Sequence, residues 1–209
     1  MAKARTELLM KATHQLDNAG QVIFGVFTLP LRRGHDLKYR YQLLNATKDR
    51  FRRYLKPLER HLGIIYSSRY LDEAWGEEFG WNPHFNWVFF VPEGVSAQDV
   101  SNFMSEVPKL WIKAASLGGT RGVSPLSQSM ELISSQHRVT QVSKYITHHS
   151  YYPMNFSVQS KRADGKWKGL LPFEVLEAAI KFDRRLEAAW KEFEVASKGR
   201  HRVCNYSNL

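Results

Sequence analysis

Cysteine is almost absent from this chain. Cys204 is the one cysteine among 209 residues, so no disulfide can join two parts of the chain, and a cysteine-rich zinc site is excluded. Any metal that the protein binds must therefore be held by nitrogen and oxygen ligands.

Long hydrophobic runs are also missing. No apolar run approaches the roughly 20 residues that span a bilayer, and residues 1–15 mix charged and apolar types without a signal-peptide core. The sequence therefore predicts a cytoplasmic protein with no membrane partner. A phosphate-binding loop of the type Gly-x-x-x-x-Gly-Lys-Ser/Thr is missing too, so a helicase activity of its own is not expected.

Acidic residues are the scarcer of the two charge types. The chain has 20 Asp and Glu against 30 Lys and Arg, a formal net charge of +10 and a pI near 9.7. This balance favours a polyanionic partner such as nucleic acid, with an anionic membrane surface as the competitor. A hydrophobic content of 43% in 209 residues is enough to fill the core of one substantial domain.

Hydrophobic periodicity predicts alternating strands and helices, which favours an α+β fold with an antiparallel-centred sheet and helices packed on it. The predicted strands are residues 21–31, 63–74, 82–92 and 129–134, with a turn over residues 75–80. The predicted helices are residues 36–61, 96–115, 139–149, 172–180 and 183–196, with a loop over residues 150–171. We expect Pro57 and Pro108 to kink, shorten or interrupt their helices.

Residues 80–91, Gly-Trp-Asn-Pro-His-Phe-Asn-Trp-Val-Phe-Phe-Val, read as a buried strand. Successive strand side chains point to opposite faces, so His84 and Asn86 should share one face while Phe85 and Trp87 pack on the other. A ring nitrogen and an amide oxygen side by side suit one cation. The alternative is a strand end at which these two residues only satisfy hydrogen bonds.

Three segments together resemble rolling-circle replication initiators. They are residues 27–35, Phe-Thr-Leu-Pro-Leu-Arg-Arg-Gly-His, then residues 80–91, and Tyr145 on a late predicted helix. In the plasmid members of that family, a Thr-Leu-Thr run precedes Arg-His, and a Gly-Trp-His-x-His-x-His motif precedes apolar residues. Segments that parallel the family's C-terminal motifs are residues 172–176, 190–193, 198–200 and 206–209.

The resemblance implies an HUH endonuclease, in which a tyrosine attacks a DNA phosphate, stays linked to its 5′ side and leaves a 3′-hydroxyl. It implies an HUH/RRM-like nuclease domain over residues 21–152, preceded by an extension over residues 1–20. Residues 153–209 would form a helical extension packed on the same domain. The implied partners are single-stranded or hairpin origin DNA and a host helicase and polymerase.

The metal site implied by the resemblance departs from the family pattern. His84 matches the first histidine of the paired motif, and Asn86 replaces the second. An amide oxygen is a weaker ligand that favours Mg²⁺ or Mn²⁺ over Zn²⁺. The expected third ligand is Glu73 on the neighbouring strand, with Asp72 and Glu77 as alternatives if the register differs.

The implied nucleophile is Tyr145, in a family motif Tyr-x-x-Lys whose last position is His148 here. Residues three apart share a helix face, so His148 could contact the phosphate or the phenol. A tyrosine with a pKa near 10 is a weak nucleophile until it is deprotonated or hydrogen-bonded. Tyr151 and Tyr152 are the alternative nucleophiles.

DNA contacts are expected from Arg32, Arg33 and Lys144, which could neutralise phosphates, and from Trp81, which could stack on an unstacked base. The replaced motif residues leave a second hypothesis open. In it the same fold binds a specific nucleic-acid sequence without cleaving it. A basic RNA-binding or membrane-surface protein is a third hypothesis, and it would need only the charge.

Overall fold

The computed structural model describes residues 20–133, 168–181 and 183–207. Within these residues, a six-stranded antiparallel sheet and four helices confirm the α+β class. The strands are β1 (Gln21–Phe27), β2 (Tyr66–Gly76), β3 (Gly80–Val91), β4 (Ser129–Ile133), β5 (Lys168–Leu170) and β6 (Val203–Ser207). The helices are α1 (Leu37–His61), α2 (Ala97–Leu117), α3 (Pro172–Lys181) and α4 (Leu186–Ser197), with a 3₁₀ turn at Pro125–Ser127.

The sheet has the spatial order β4-β1-β3-β2-β5, and β6 also pairs with β2. β2 and β3 form the predicted antiparallel hairpin, but its turn is shorter than expected. The strands extend to a Gly76–Gly80 pair, which leaves residues 77–79 as the connection. Gly80 has a φ of 72°, a left-handed conformation that favours glycine at this end of the turn.

The main core lies between the sheet and helices α1 and α2. α1 begins after Asp36, whose carboxylate accepts a hydrogen bond from the Tyr39 amide at 2.7 Å, as expected for an N-cap. The aromatic side chains of this core contact one another at centroid distances of 5.3–6.4 Å; they are Phe27, Phe51, Phe85, Trp87 and Trp111. These contacts fix the face of the sheet that is closed to solvent and to ligands.

The two interior prolines do not end their helices. α1 runs through Pro57 to His61, and α2 runs through Pro108 to Leu117. Pro57 lies on the exposed side of α1, where water can hydrate the carbonyl that the missing N–H would have bonded. The expectation that Pro57 shortens α1 is therefore wrong.

The C-terminal part contributes strands as well as the two predicted helices. β5 falls within the predicted loop over residues 150–171, and β6 was not predicted. Both are short and pair with β2, and the Leu71 amide also donates to the carbonyl of Arg202, directly before β6, at 2.7 Å. The described part of residues 153–209 thus adds two strands to the sheet besides helices α3 and α4.

Several predictions fall outside the described residues. They concern the helix over residues 139–149 with Lys144, Tyr145 and His148, and the alternative nucleophiles Tyr151 and Tyr152. Of the helices in the described part of the chain, none combines the length and the apolar character needed to cross a bilayer.

Candidate metal centre

His84 and Asn86 lie on one face of β3, as the strand periodicity predicts. Phe85 and Trp87 point the other way, into the core beneath α1 and α2, and both are fully buried. In the hairpin register, Asp72 of β2 lies directly opposite His84. Because directly paired residues of antiparallel strands project to the same face, Asp72 joins His84 and Asn86.

The side chains of His84 and Asn86 both approach one carboxylate oxygen of Asp72. Asp72 Oδ2 lies 3.4 Å from His84 Nε2 and 3.4 Å from Asn86 Nδ2, which donates to it. The other oxygen, Oδ1, accepts a hydrogen bond from the Glu73 amide at 2.9 Å. Asp72 and Asn86 are both buried, so the charge of the carboxylate is only weakly screened by solvent.

Glu73, the expected third ligand, is not part of this group. It pairs with Pro83 across the hairpin and therefore projects to the helix side of the sheet. There it accepts a hydrogen bond from the Tyr41 hydroxyl at 2.6 Å. Its Oε2 lies 3.0 Å from Arg202 Nη1, an ion-pair contact without hydrogen-bond angles. The structure corrects the assignment from Glu73 to its alternative, Asp72.

Glu77, the second alternative, is also separate. It lies in the hairpin turn, where its carboxylate is 3.7 Å from the Arg185 guanidinium. The signal that distinguishes the three carboxylates is the register of the hairpin. A count outward from the Gly76–Gly80 pair places Asp72, and neither of the others, opposite His84.

The orientation of His84 is set by the backbone. Its Nδ1 lies 3.2 Å from the Asn82 carbonyl oxygen, to which it can donate, and this leaves Nε2 facing Asp72. Burial lowers the pKa of His84, but the hydrogen bond and charge of Asp72 outweigh burial, and the net pKa is raised above its ordinary value. Without a bound cation, Asp72 therefore favours the protonated imidazole, which forms an ion pair with the carboxylate.

The donor atoms of His84, Asp72 and Asn86 suit a small cation that prefers oxygen ligands. Metal-bound histidines typically donate their other ring N–H to a carbonyl or carboxylate, as His84 Nδ1 can do here. His84 Nε2, an Asp72 oxygen and the Asn86 amide oxygen would hold the ion, the amide turning its oxygen where its nitrogen now lies. Within the described residues, no three His, Cys, Asp or Glu side chains cluster to hold a metal, so the site depends on the amide.

Arg32 and Arg33, the predicted phosphate contacts, lie in the loop between β1 and α1 and are exposed. Arg32 Nη2 donates to the Arg121 carbonyl at 3.3 Å, and the Arg33 guanidinium lies 3.7 Å from Glu78. An exposed pair at that distance adds little stability, so Arg33 can exchange Glu78 for a phosphate at low cost.

Trp81 does not serve as a platform for a base. It is 1% exposed, its indole N–H donates to the Ala189 carbonyl at 3.0 Å, and its ring packs on Phe193 with centroids 5.0 Å apart. The prediction that Trp81 stacks on DNA is wrong because α4 covers this end of the sheet, which strand periodicity alone cannot reveal.

Arg40 of α1 links the loop after β1 to the start of β3. Its guanidinium donates to the carbonyls of Phe79 at 2.6 Å, Arg32 at 2.9 Å and His35 at 2.9 Å, and also to the Trp81 carbonyl. Arg40 is buried, so these carbonyls satisfy a charge that would otherwise destabilise the fold. The arginine holds the exposed Arg32–Arg33 segment beside the end of the sheet that carries His84.

Comparisons with protein-family models, with curated proteins and with solved structures give no match to this chain.

Proposed function

We propose that this protein is a metal-dependent DNA endonuclease of the HUH type, which nicks and rejoins single-stranded origin DNA to start rolling-circle replication. The observation that carries the proposal is the convergence of His84, Asn86 and Asp72 on one face of a central strand. His84 and Asn86 occupy the motif whose sequence resembles that family, and the donor atoms of all three residues suit Mg²⁺ or Mn²⁺.

The topology supports the same proposal. The first six elements run β1-α1-β2-β3-α2-β4, and their strands have the spatial order β4-β1-β3-β2. This is the arrangement of the split β-α-β fold, to which an RRM-like nuclease domain belongs. In it, both helices pack on one face of the sheet, and the other face of the central strand remains for His84 and its partners.

In the proposed reaction, some residues hold the cation and the DNA phosphates, and a tyrosine attacks. A bound divalent cation would polarise the scissile phosphate and orient it for in-line attack. Asp72 and His84 would hold that ion in a weakly solvated setting, while Arg32 and Arg33 would neutralise neighbouring phosphates. Tyr145 would supply the attacking oxygen and remain esterified to the 5′ phosphate, and the departing 3′ oxygen would take up a proton.

The test is formation of a covalent protein–DNA adduct. Labelled single-stranded DNA that carries the element's candidate origin is incubated with the protein and Mg²⁺ or Mn²⁺, or with chelator, and resolved on a denaturing gel. We expect an adduct that requires the cation and disappears in Tyr145→Phe. We also expect Asp72→Asn to abolish the adduct, because it removes the carboxylate charge from the site.

Glu73→Gln is the matched control, since it makes the same chemical change at the adjacent residue on the other face of β2. It should retain cation-dependent adduct formation. Tight binding to the same DNA without an adduct under any cation would contradict the nuclease proposal and favour the non-cleaving binding protein. Equal activity in Asp72→Asn and the wild type would remove Asp72 from the proposed site.

A further inference from the structure

A cavity of about 200 Å³ lies beside the His84 end of β3. Part of its lining is the segment that follows β1, including Thr28 and Leu31, and another part comes from residues 122–124 and 127–128. Asn82 of β3 lines it as well. Its volume falls below the roughly 300–1,000 Å³ of pockets for drug-sized ligands, so it suits one small group.

The walls of the cavity are built and held by hydrogen bonds. The Thr28 amide donates to Gln128 Oε1 at 2.9 Å, the Thr28 hydroxyl donates to the Ser127 carbonyl at 3.2 Å, and Gln128 Nε2 donates to the Ser124 carbonyl at 3.1 Å. From the core side, the Trp111 indole donates to the Thr28 carbonyl at 2.8 Å. The side chains of Thr28 and Gln128 are therefore already engaged by other lining residues.

Asn82 is the exception among the polar lining residues. Its Oδ1 is buried and has no hydrogen-bond partner within the described part of the chain. A buried acceptor without a donor costs about 1–3 kcal/mol, so a turn of the Asn82 side chain that brings this oxygen to an N–H in the cavity recovers that energy. Asn82 also lies two residues from His84, so its side chain shares the face of the candidate metal centre.

The surroundings are basic rather than acidic. Arg32, next to the lining residue Leu31, and Arg121, next to the lining residue Gly122, are both exposed, and the Arg32 guanidinium bonds the Arg121 carbonyl. Apolar side chains, among them Leu29, Pro30 and Val123, complete the lining. A nucleobase is flat, has polar edges and is attached to a phosphate backbone, so it matches a small, partly apolar cavity beside two arginines.

We propose that the cavity receives one unstacked base of the bound single strand, preferentially adenine, whose edge pairs with the Asn82 amide. The inference rests on the proposed function for the identity of the strand. An asparagine amide accepts from the adenine N6 amino group and donates to the adjacent ring nitrogen, a pairing that thymine does not reproduce. The site therefore selects a base next to the position of cleavage, and the Asn82 side chain is a specificity determinant.

The experiment measures binding without cleavage. Short fluorescent oligothymidylates, with and without one central adenine, are titrated by anisotropy in chelator against the wild type and Asn82→Leu. We expect the wild type to bind the adenine-containing strand about 5-fold or more tightly, the lower end of the discrimination of a bidentate contact. Asn82→Leu should bind both strands equally, with unchanged affinity for oligothymidylate.

Asn102→Leu is the matched control, because it replaces an exposed asparagine of α2 that does not line the cavity, and it should keep the adenine preference. Equal binding of both strands by the wild type, or a preference that survives in Asn82→Leu, would overturn the inference. A wild type that forms the covalent adduct without any base preference would refute the base site alone. A base preference lost in Asn82→Leu, without an adduct, would refute the nuclease alone.

Discussion

Asp72 and Glu73 are consecutive carboxylates of one strand that lie on opposite faces of the sheet. Glu73 lies in the helix-covered core, where Tyr41 and Arg202 contact it. Asp72 lies on the opposite face, where its neighbours are the imidazole of His84 and the amide of Asn86. Two acids of similar chemistry thus have partners of different kinds.

The partners of the two buried acids show which of them is suited to bind a ligand. A carboxylate between a tyrosine hydroxyl and an arginine is already engaged by a hydrogen-bond donor and a positive charge, and both contacts stabilise the fold where α1, β2 and the C-terminal segment meet. A carboxylate between an imidazole and an amide has neighbours that are themselves metal ligands. Burial alone does not separate the two acids, because both are less than a tenth exposed.

The largest expected difference between the two faces of the sheet is in how much their buried aromatic residues stabilise the fold. Phe89, on the helix side, packs edge-on against Phe103 with centroids 5.2 Å apart, whereas Phe90 belongs to the smaller cluster on the other face. We expect Phe89→Ala to lower the free energy of unfolding by about 3–5 kcal/mol and Phe90→Ala by less, because the larger core relaxes less around a cavity. Urea denaturation measures both losses, and equal losses would show that the faces are packed alike.

The acid on the helix side should be the more important of the pair for stability. Glu73→Ala leaves the Tyr41 hydroxyl without its acceptor and removes the carboxylate that faces the Arg202 guanidinium, and we expect a loss of about 3 kcal/mol. Asp72→Ala in chelator should lose less, because its partner His84 can release its proton and stay neutral once the carboxylate is gone, which an arginine cannot do. Chemical denaturation of the two variants makes the comparison, which fails if Asp72→Ala is the less stable protein.

Asp72, on the face opposite the helices, should be the more important of the two acids for metal binding. A cation that binds the folded state alone stabilises it by about 2.7 kcal/mol at a concentration 100 times its dissociation constant. We expect Mn²⁺ to raise the melting temperature of the wild type and of Glu73→Gln, and to leave that of Asp72→Asn unchanged. A thermal shift that persists in Asp72→Asn would place the bound cation elsewhere.

The smallest expected effect is the pH dependence that His84 gives to the metal-free protein. Burial lowers its pKa, the contact with Asp72 raises it, and the net pKa in the folded state lies above the ordinary value. The ion pair therefore stabilises the fold fully below pH about 6.5 and loses this contribution as the pH rises through the folded-state pKa. Urea denaturation across that range should show the trend in the wild type and not in His84→Gln.

Much of the fold could be predicted from the sequence, because its long elements have strong periodicity. The Asp36 N-cap and the apolar spacing of α1, and the alternation around His84, each depend on residues close together in the chain. The same local rules correctly placed His84 and Asn86 on one face. β5 and β6 could not be predicted in this way, because pairing with a distant strand stabilises them.

The candidate site was only partly predictable for the same reason. Whether Asp72 or Glu73 joins His84 depends on the length of the hairpin turn, and a shift of one residue exchanges the faces of the two acids. Trp81 reads as an exposed aromatic residue until α4 is placed over it. Asn82 carried no signal in the sequence, because its importance lies in a buried oxygen and in a cavity formed by segments far apart in the chain.

Arg40 connects two segments that line the cavity. The carbonyls that it binds belong to residues directly beside two parts of the cavity wall, Leu31 and Asn82. One buried guanidinium thus anchors both parts to α1, because each part gives it at least one backbone carbonyl. Arg40 therefore holds both segments in place although it does not itself line the cavity.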